Sequence, residues 1–497
     1  MLFRSINSDG VRQTPWSEGQ NVRHLEPMGF IKFDILGIAS LRMIEGAIRH
    51  ILKRHKGIKE PTFDDVKKFY NEHLHPDTMN MNDLKVYKNV FHNGNFAGVF
   101  QFTERPVQEF AKKVKPCNII DLSAITSIYR PGPLGADVDK LYIEAVEDPQ
   151  SIKYIHPVVK DITEETFGFL IFQEQIALIA HKLGKDLSLD EGNLLRKVLT
   201  KKGTGKGHEV KDEIYKKFID GCLEKQIGRD EAEGLWKTFE FFSGYGFNKS
   251  HAVCYSILSY QCAWLLTYYP SEWIASYLDD ETQDDGGKAT AISIIKALGY
   301  KVEPPNVNVS GDKWGVSNDG QTFYQPLSSI KGLGEKGIEQ ILNNRPFKTI
   351  DELLFNDNIA YAKLNKKCLD ALARSGALDD LVDNRFTGRK HFWASFSDER
   401  PKTKKKFDEY INIFKEAGDF TKEEVMNNYM TLLGFFPVDM VMSDQLYKRL
   451  NESNINPISK YDEDLKVCWF VPISYEIKKS KNDKNYYVAQ VTDDSGK

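Results

Sequence analysis

The alternation of apolar and polar positions predicts a chain built mainly of helices, with a few strands. Near the start, IKFDIL (Ile31–Leu36) alternates with a period of two, which is typical of a strand, and LRMIEGAIRHILKRH then follows a helical period. A further helix is predicted in PTFDDVKKFYNEHL, where Asp64 and Asp65 are placed for a helix start. Another is predicted over Asn193–Lys202.

The second half of the chain follows a polar, glycine-containing connector that is predicted near residues 282–290. Beyond it, AISIIKALGYKVEPPNVNVS predicts a short helix and a strand, and IKGLGEKGIEQIL predicts a glycine-rich turn between two helices. A lysine-rich linker, ERPKTKKKFDEY, leads to a last helical segment. The final residues, KVCWFVPISYEIKKSKNDKNYYVAQVTDD, predict two strands around a polar turn.

Length and composition predict a globular protein of several domains. The chain has 497 residues, of which 41% are hydrophobic and 28% charged, so it has enough apolar material for real cores. It has no apolar stretch of membrane-spanning length, no signal-peptide pattern, and six scattered cysteines without a CxxC pair. We therefore expect a soluble, cytoplasmic protein with no membrane partner and no zinc or disulfide framework.

The IKFDILG segment carries the first candidate chemistry. In a strand, Lys32 and Asp34 share one face, with Cα atoms roughly 6–7 Å apart. That spacing suits a carboxylate that binds a divalent metal beside a cation that holds a triphosphate. A surface ion pair on an amphipathic strand explains the same pattern, and the segment alone favours that interpretation, because such pairs are common.

Two further segments place cations where they can meet a polyanion. Arg130 precedes Pro131 in SIYRPGPLG, so its backbone is expected to be extended and its guanidinium stiffly mounted for phosphate. The predicted helix Asn193–Lys202 and the loop after it suit a nucleotide-closing finger or contact with a DNA backbone. The cations of that stretch include Arg196, Lys197, Lys201, Lys202 and Lys206. A rigid loop with an exposed arginine and a solvated charge run are the alternatives.

The FSGYGFNKSH segment predicts a helix start that can bind an anion. The helix is expected to begin near His251, to be capped by Asn248 or Ser250, and to run to Tyr269. Its free backbone N–H groups would then lie beside Lys249 and His251. A capped core helix with a structural histidine is the alternative interpretation.

A helix-hairpin-helix pattern follows in IKGLGEKGIEQILNNR (Ile330–Arg345). Glycines in such a turn let backbone amides meet a DNA phosphate without regard to base sequence. The predicted contact residues are Lys331, Gly332, Gly334 and Lys336. Leu364–Leu381 is a candidate companion hairpin, and a plain packing turn between helices is the alternative.

Taken in order, these motifs resemble the C-family DNA polymerases, the bacterial DNA polymerase III alpha subunits. The matching stretches are IKFDILG, GVFQF, YRPGPL, FQEQ, LLRKVLTKK, GYGFNKSHAVCYSILSYQ, IKGLG and LLGFF. The resemblance runs from about Met28 to the end of the sequence, and IKFDILG, YRPGPL and GYGFNKSH are its most specific parts. It is compatible with a phage-encoded version of the family.

The resemblance implies an α+β, mostly helical chain of several domains. The expected order is a palm remnant with the last catalytic strand (1–44), fingers (45–290), a helix-hairpin-helix DNA-binding region (291–395), a clamp-binding-type helical region (396–460) and a truncated start of an OB fold (461–497). The expected activity is that of a DNA-directed DNA polymerase, a nucleotidyltransferase in which a primer 3′-hydroxyl attacks the α-phosphate of a deoxynucleoside triphosphate.

The resemblance also implies roles for individual residues. Asp34 matches the last of the family's three catalytic aspartates and would bind Mg²⁺, and Lys32 matches a lysine that contacts the triphosphate of the incoming nucleotide. The fingers residues that correspond to nucleotide- or template-facing positions are Arg130, Arg196, Lys197, Lys249, Ser250 and His251. The family usually has a second arginine where this chain has Lys197, which keeps the charge but loses the planar fork.

The match to the family is incomplete at the metal site. The family's first two catalytic aspartates lie in an Asp-x-Asp strand far upstream of the IKFDILG position, and its amino-terminal PHP domain is also not matched. Asp137 and Asp139 follow YRPGPL, where the family has a helix start, so they do not replace those aspartates. Two-metal phosphoryl transfer needs several carboxylates. We therefore expect the chain alone to be inactive and to work with a separate N-terminal polymerase chain.

The expected partners are primer–template DNA, deoxynucleoside triphosphates, that N-terminal chain and a sliding clamp. A non-catalytic DNA-binding protein derived from a polymerase is the alternative from another class. A phosphate-binding module unrelated to replication would explain the basic loop and none of the other segments.

Overall fold

The structure, a computed structural model, describes residues 5–6, 12–13, 37–200, 206–243, 246–281, 285–434, 438, 441–460, 467–479 and 485–493. The chain divides into two compact units, Met1–Leu41 and Arg42–Lys497. In the first unit, β1 (Ser5–Ile6) pairs antiparallel with β2 (Arg12–Gln13). The strand predicted over residues 31–36 lies outside the described residues.

Helices make up most of the described chain from residue 39 to residue 297. They are α1 (Ala39–Lys56), α2 (Phe63–His73), α3 (Leu84–Val86), α4 (Arg105–Val114), α5 (Ile119–Ile128), α6 (Pro131–Leu134), α7 (Val138–Glu147), α8 (Pro157–Thr163), α9 (Gln173–Leu183), α10 (Leu189–Thr200), α11 (Lys206–Glu224), α12 (Arg229–Ser243), α13 (Lys249–Tyr268), α14 (Pro270–Glu281) and α15 (Asp285–Ala297). A π-helical turn, Tyr87–His92, follows α3 directly. The helices predicted in the first two helical segments are confirmed as α1 and α2.

The start of α2 shows why the sequence predicted it well. The Thr62 hydroxyl accepts from the Asp65 backbone N–H at 3.2 Å, and the Asp65 carboxylate accepts from the Thr62 backbone N–H at 2.8 Å. This reciprocal capping satisfies N–H groups that the first helical turn leaves without partners. Val66 and Phe69 lie on the apolar face of the helix, and both are buried.

Helix α13 is the central helix of this region and packs closely on α5. The buried hydroxyls of Ser123 on α5 and Ser256 on α13 lie 3.1 Å apart, so small side chains let the two helices approach. Helix α5 leads directly to Arg130, and α13 begins at Lys249. The packing of these two helices therefore brings together two segments that are more than 100 residues apart in the sequence.

The polar connector predicted near residues 282–290 is wrong for residues 285–290, which form the first part of α15. A Cβ on Gly287 would lie 2.7 Å from the carbonyl oxygen of Glu281, so this glycine allows a close approach rather than a break. Lys288 is buried, and its Nζ donates to the carbonyl oxygen of Leu433 at 2.7 Å. A tertiary hydrogen bond thus satisfies the buried ammonium group of Lys288, in a segment whose polarity suggested a loop.

Shorter elements follow α15. The strands β3 (Lys301–Glu303) and β5 (Thr322–Tyr324) are parallel, and β4 (Gly315–Val316) pairs antiparallel with β5. The later helices are α16 (Glu335–Asn344), α17 (Ile350–Leu354), α18 (Lys366–Arg374), α19 (Arg389–Ser397), α20 (Lys404–Ile413), α21 (Lys422–Leu433) and α22 (Asp444–Glu452). One hydrophobic core joins residues from Val307 to Leu433. This core includes residues on both sides of residue 395, where a domain boundary was predicted. The predicted domain boundaries stay predictions.

The predicted glycine-rich turn is present, but the element before it is a single 3₁₀ turn, Leu327–Ser329, and not an α-helix. At the end of the described chain, β6 (Asn456–Pro457) pairs parallel with β7 (Cys468–Trp469). The two strands predicted there are confirmed as β8 (Val471–Lys479) and β9 (Asn485–Thr492), which pair antiparallel. The predicted start of an OB fold stays a prediction.

No helix within the described ranges is both long enough and apolar enough to cross a lipid bilayer.

Candidate functional site

The FQEQ and GFNKSH segments meet side by side through their backbones. Phe172 and Phe247 form a parallel β-bridge. The Phe247 backbone N–H donates to the carbonyl oxygen of Ile171 at 2.9 Å, and its carbonyl oxygen accepts from the Gln173 N–H at 2.9 Å. The Gln173 side chain also donates to the carbonyl oxygen of Gly246 at 2.7 Å. The bridge fixes both segments just before α9 and α13 begin.

The first turn of α13 is capped from two sides. The Asn248 side-chain oxygen accepts from the His251 backbone N–H at 2.9 Å and from the Ser250 hydroxyl at 2.7 Å. The Glu174 carboxylate accepts from the Lys249 backbone N–H and from the Asn248 amide, each at 2.9 Å. Of the two caps predicted, the structure uses Asn248. Part of the predicted anion site is therefore already occupied by the protein's own carboxylate.

The two cations of the site have different surroundings. The Lys249 ammonium pairs with Glu165 at 2.5 Å and lies 5.6 Å from the centroid of the Phe172 ring. The Arg130 guanidinium lies 4.6 Å from the centroid of the Phe247 ring, and no carboxylate pairs with it in the described part of the chain. Arg130 is exposed, so it is the cation of this pair that can bind an external anion without first breaking an ion pair.

The backbone around Arg130 has the predicted form. Arg130 is extended, with φ −144° and ψ 153°, as expected for a residue before proline, and α6 starts at Pro131. The Arg130 carbonyl oxygen accepts from the Leu134 N–H at 3.1 Å, which closes the Pro-Gly-Pro turn. The imidazole of His251 is exposed and lies 4.1 Å from the Tyr255 ring and 5.4 Å from the Phe247 ring.

Helix α10 carries the predicted cationic run and packs tightly on α9. It begins at Leu189, earlier than predicted, because Ser188 and Glu191 cap each other's backbone N–H groups. The hydrogen bond from the Lys217 ammonium is the largest of the causes that lower the pKa of Glu191 to about 2. Hydrogen bonds from the Ser188 backbone N–H and hydroxyl contribute to the same lowering of this pKa. A Cβ on Gly192 would lie 2.5 Å from the Ala177 carbonyl oxygen, so the two helices are in close contact.

The cations of that run are only partly placed. The backbones of Arg196 and Lys197 lie in α10, and Lys206 is the first residue of α11. Their side chains, together with Lys201 and Lys202, lie outside the described residues. Their predicted contacts with nucleotide or DNA stay predictions.

A second basic surface surrounds two packed turns. Gly332 has φ +100°, and a Cβ built on it would lie 3.6 Å from Ala371 and from Lys367. The Cys368 thiol, on α18, lies 3.9 Å from the Gly332 carbonyl oxygen, so the predicted hairpin and its companion are in contact. We call this surface, with its exposed lysines, the hairpin surface; its lysines are Lys331, Lys336, Lys363, Lys366 and Lys367.

The glycine after Leu333 differs from Gly332. Gly334 has φ −82°, and a Cβ there would meet no atom of the described residues within 4 Å. It lies just before α16, where the Gly337 N–H already donates to the Gly334 carbonyl oxygen at 2.8 Å. The open Cβ position of Gly334 leaves room for a phosphate beside the helix start.

The predicted metal site is not within the described part of the chain, because Lys32 and Asp34 lie outside it. Among the residues that the structure describes, no three His, Cys, Asp or Glu side chains form a group that could hold a metal ion. Asp137 pairs with Lys140 at 2.7 Å at the start of α7.

Sequence reasoning missed the two carboxylates of the site. Glu174 belongs to the FQEQ motif, but nothing in the sequence indicates that its partner is the start of a helix 74 residues later. Glu165 lies in a 3₁₀ turn without any motif. Only the backbone bridge between residues 172 and 247 shows why both are close to Lys249.

The fold and the site together define two parts. The first is helical and has Arg130 and Lys249 at the ends of loops that lie side by side. The second contains the glycine hairpin and its basic surface. Residues 56–226 match the family model of the bacterial DNA polymerase III alpha subunit finger domain, and residues 299–387 match that of a helix-hairpin-helix motif. The chain belongs to the C family of DNA polymerases, and its matched residues are similar to parts of DNA polymerase III alpha subunits.

Curated relatives agree with this assignment. The chain is 32% identical over 385 residues to the DNA polymerase III subunit alpha of Campylobacter jejuni, covering 76% of this chain and 30% of that protein. It is 33% identical over 372 residues to the Thermus aquaticus protein of the same name, covering 72% and 28%. The Bacillus subtilis protein is 30% identical over 365 residues, covering 73% and 30%. The chain therefore spans under a third of the length of these relatives.

Proposed function

We propose that this chain supplies the fingers and the duplex-binding region of a replicative DNA-directed DNA polymerase. In this proposal, the site around Phe247 binds the triphosphate of the incoming deoxynucleotide. The observation that carries the proposal is the position of the exposed Arg130 on the Phe247 ring, beside the start of α13, without an ion-pair partner among the described residues. A guanidinium is a group that proteins use to bind phosphate. Arg130 carries the proposal because Glu174 and Asn248 already accept from backbone N–H groups at the α13 start.

The roles within the site follow from the partners of each group. Arg130 has five N–H donors and would bind phosphate oxygens in a bidentate manner. Ser250 and His251 are exposed on the first turn of α13. The His251 imidazole would add a hydrogen-bond donor, and the Ser250 hydroxyl would do so on leaving Asn248, to which it now donates. Lys249 is held by Glu165 and would contribute mainly positive potential. Arg196 and Lys197 would close over the nucleotide from α10.

The hairpin surface would bind the phosphate backbone of the primer–template duplex. Lys331 and Lys336 are exposed beside Gly334, whose Cβ position has no atom of the described residues within 4 Å. Lysines and backbone N–H groups contact phosphates independently of base sequence, which a replicative enzyme requires. Lys201, Lys202 and Lys206 would add to this electrostatic attraction.

The proposed activity also requires Mg²⁺ ions and carboxylates that bind them. Asp34 would be one Mg²⁺ ligand and Lys32 a phosphate contact, and Mg²⁺ would activate the primer hydroxyl when bound. The described residues hold no group of carboxylates, histidines or cysteines that fits these ions. Polypeptide beyond this sequence would supply the remaining carboxylates, and we propose a separate N-terminal chain as its source. Residues 396–460 would contact a sliding clamp.

A titration tests the nucleotide-binding part of the proposal. The 497-residue chain is titrated with mant-dATP, a fluorescent deoxynucleotide, in Mg²⁺ buffer. Arg130→Ala should raise the Kd about tenfold or more, since it removes charge-assisted hydrogen bonds. Arg229→Ala is the matched control, because Arg229 lies at the other end of α12, roughly 20 Å along the helix from the segment that leads to Gly246. An unchanged Kd for Arg130→Ala would contradict the proposal.

Two further assays separate the remaining alternatives. On a labelled primer–template with four deoxynucleotides and Mg²⁺, the chain alone should give no extension, and robust extension would overturn the need for other polypeptide. Duplex binding without any nucleotide binding would instead support a non-catalytic DNA-binding protein derived from a polymerase.

A further inference from the structure

The contact between Arg130 and Phe247 has a geometry that restrains the arginine without using its hydrogen bonds. The guanidinium carbon lies 4.6 Å from the ring centroid. A cation over an aromatic face is attracted by the ring's quadrupole, and this attraction leaves the N–H donors available. The arginine is therefore held in place while it keeps its full capacity to bind phosphate.

The ring itself is fixed from both sides. The Phe247 N–H and carbonyl oxygen are both hydrogen-bonded, to Ile171 and Gln173, each at 2.9 Å. The neighbouring Gly246 carbonyl oxygen accepts from the Gln173 side chain at 2.7 Å, and the His251 ring packs 5.4 Å from the Phe247 ring. Phe247 is thus a rigid mount, whereas an exposed arginine would otherwise sample many rotamers.

We propose that Phe247 is a positioning residue: it holds the Arg130 guanidinium where the triphosphate binds, and it does not itself contact the nucleotide. The inference rests on the proposed function, since it requires that Arg130 binds phosphate. Holding a flexible cation in its bound conformation improves affinity because less conformational freedom is lost on binding. No other aromatic ring lies over the Arg130 guanidinium among the residues that the structure describes.

A double-mutant cycle tests the inference with two probes, mant-dATP and inorganic triphosphate, which has no base. Phe247→Leu should raise the Kd for both probes about two- to fivefold, the range expected for one exposed cation–π contact. Phe247→Tyr keeps an aromatic face and should bind as the unchanged protein does. In an Arg130→Ala background, Phe247→Leu should have no further effect, because the group that it positions is gone.

The possible failures point to different errors. If Phe247→Leu weakens mant-dATP binding only, or still weakens binding in the Arg130→Ala background, Phe247 contacts the nucleotide directly and the inference is wrong. If Arg130→Ala weakens binding and Phe247→Leu does not, the inference is also wrong but the proposed function stands. If Arg130→Ala has no effect, the proposed function fails. Should Phe247→Leu lower the thermal unfolding midpoint, Phe247→Met replaces it in the same cycle.

Discussion

Glu174 and Glu233 are both helical glutamates, but they differ in what they hold. Glu174 accepts from a backbone N–H and an amide of the α13 start, whereas Glu233 pairs with the exposed Arg229 four residues before it on α12. Removing a carboxylate that accepts from N–H groups at a helix start lowers the free energy of unfolding more than removing a surface ion pair does.

We therefore expect Glu174→Ala to lower the free energy of unfolding by about 1–3 kcal/mol, and the control Glu233→Ala by roughly 0.5 kcal/mol or less. Urea unfolding followed by circular dichroism measures both values. Equal losses would show that Glu174 does not hold the α13 start.

Asp279 gives a pH dependence with a definite sign. Burial is the main cause that raises the pKa of its carboxyl group to about 6, although the Trp314 backbone N–H donates to it at 2.9 Å. A folded-state pKa above the unfolded value means that the carboxyl group stabilises the fold at low pH and loses this contribution as the pH rises through 6.

From these pKa values, the unchanged protein should gain on the order of 1 kcal/mol relative to Asp279→Asn when the pH falls from 7.5 to 5. Taking the difference between the two proteins cancels other titrating groups, such as His50, whose pKa burial lowers to about 4. Urea unfolding at both pH values checks this. A difference that is independent of pH would contradict it.

At the scale of elements, the glycine hairpin offers a pair of positions with opposite requirements. Gly332 has φ +100°, which side chains other than glycine rarely adopt, while Gly334 has φ −82° and open space around its Cβ position. The first glycine is needed for the backbone conformation, and the second leaves room for a ligand.

Gly332→Ala should therefore lower the free energy of unfolding by about 1–3 kcal/mol. Gly334→Ala should leave stability within about 0.5 kcal/mol of the unchanged protein and weaken duplex binding, because its methyl group stands where a phosphate would approach. Thermal unfolding and fluorescence anisotropy with a labelled duplex measure the two effects. Full duplex affinity in Gly334→Ala would show that the turn does not contact DNA.

Local rules explain which elements could be predicted from the sequence. The extended backbone of Arg130 follows from Pro131, and the Asn248 cap of α13 follows from its position before an apolar helix. The connector predicted near residues 282–290 was wrong for residues 285–290 because the buried Lys288 has its partner at Leu433, far along the chain. The role of Glu174 was missed for the same reason, because its partner Asn248 is 74 residues later. Contacts over long sequence distances decide both cases.

At the scale of the whole molecule, the net charge of −4 hides a local concentration of positive charge. The hairpin surface places five exposed lysines around two packed turns, and DNA responds to this local potential rather than to the net charge.

Duplex binding should therefore weaken steeply with salt and depend little on base sequence. Lys331→Ala and Lys336→Ala should each reduce the slope of log Kd against log salt by about one, with similar losses on two unrelated duplexes. Lys296→Ala, on α15 in a separate element, is the control. A loss confined to one duplex would indicate base readout instead.

The position of the bound triphosphate is the most direct test of the central claim. A photoreactive deoxynucleotide with an aryl azide on its γ-phosphate is bound to the chain, irradiated, and located by peptide mass spectrometry. The labelled peptides should contain Arg130 or residues 246–255, and Arg130→Ala should reduce the labelling. Labelling that falls on the hairpin surface, or that Arg130→Ala leaves unchanged, would contradict a nucleotide site at Phe247.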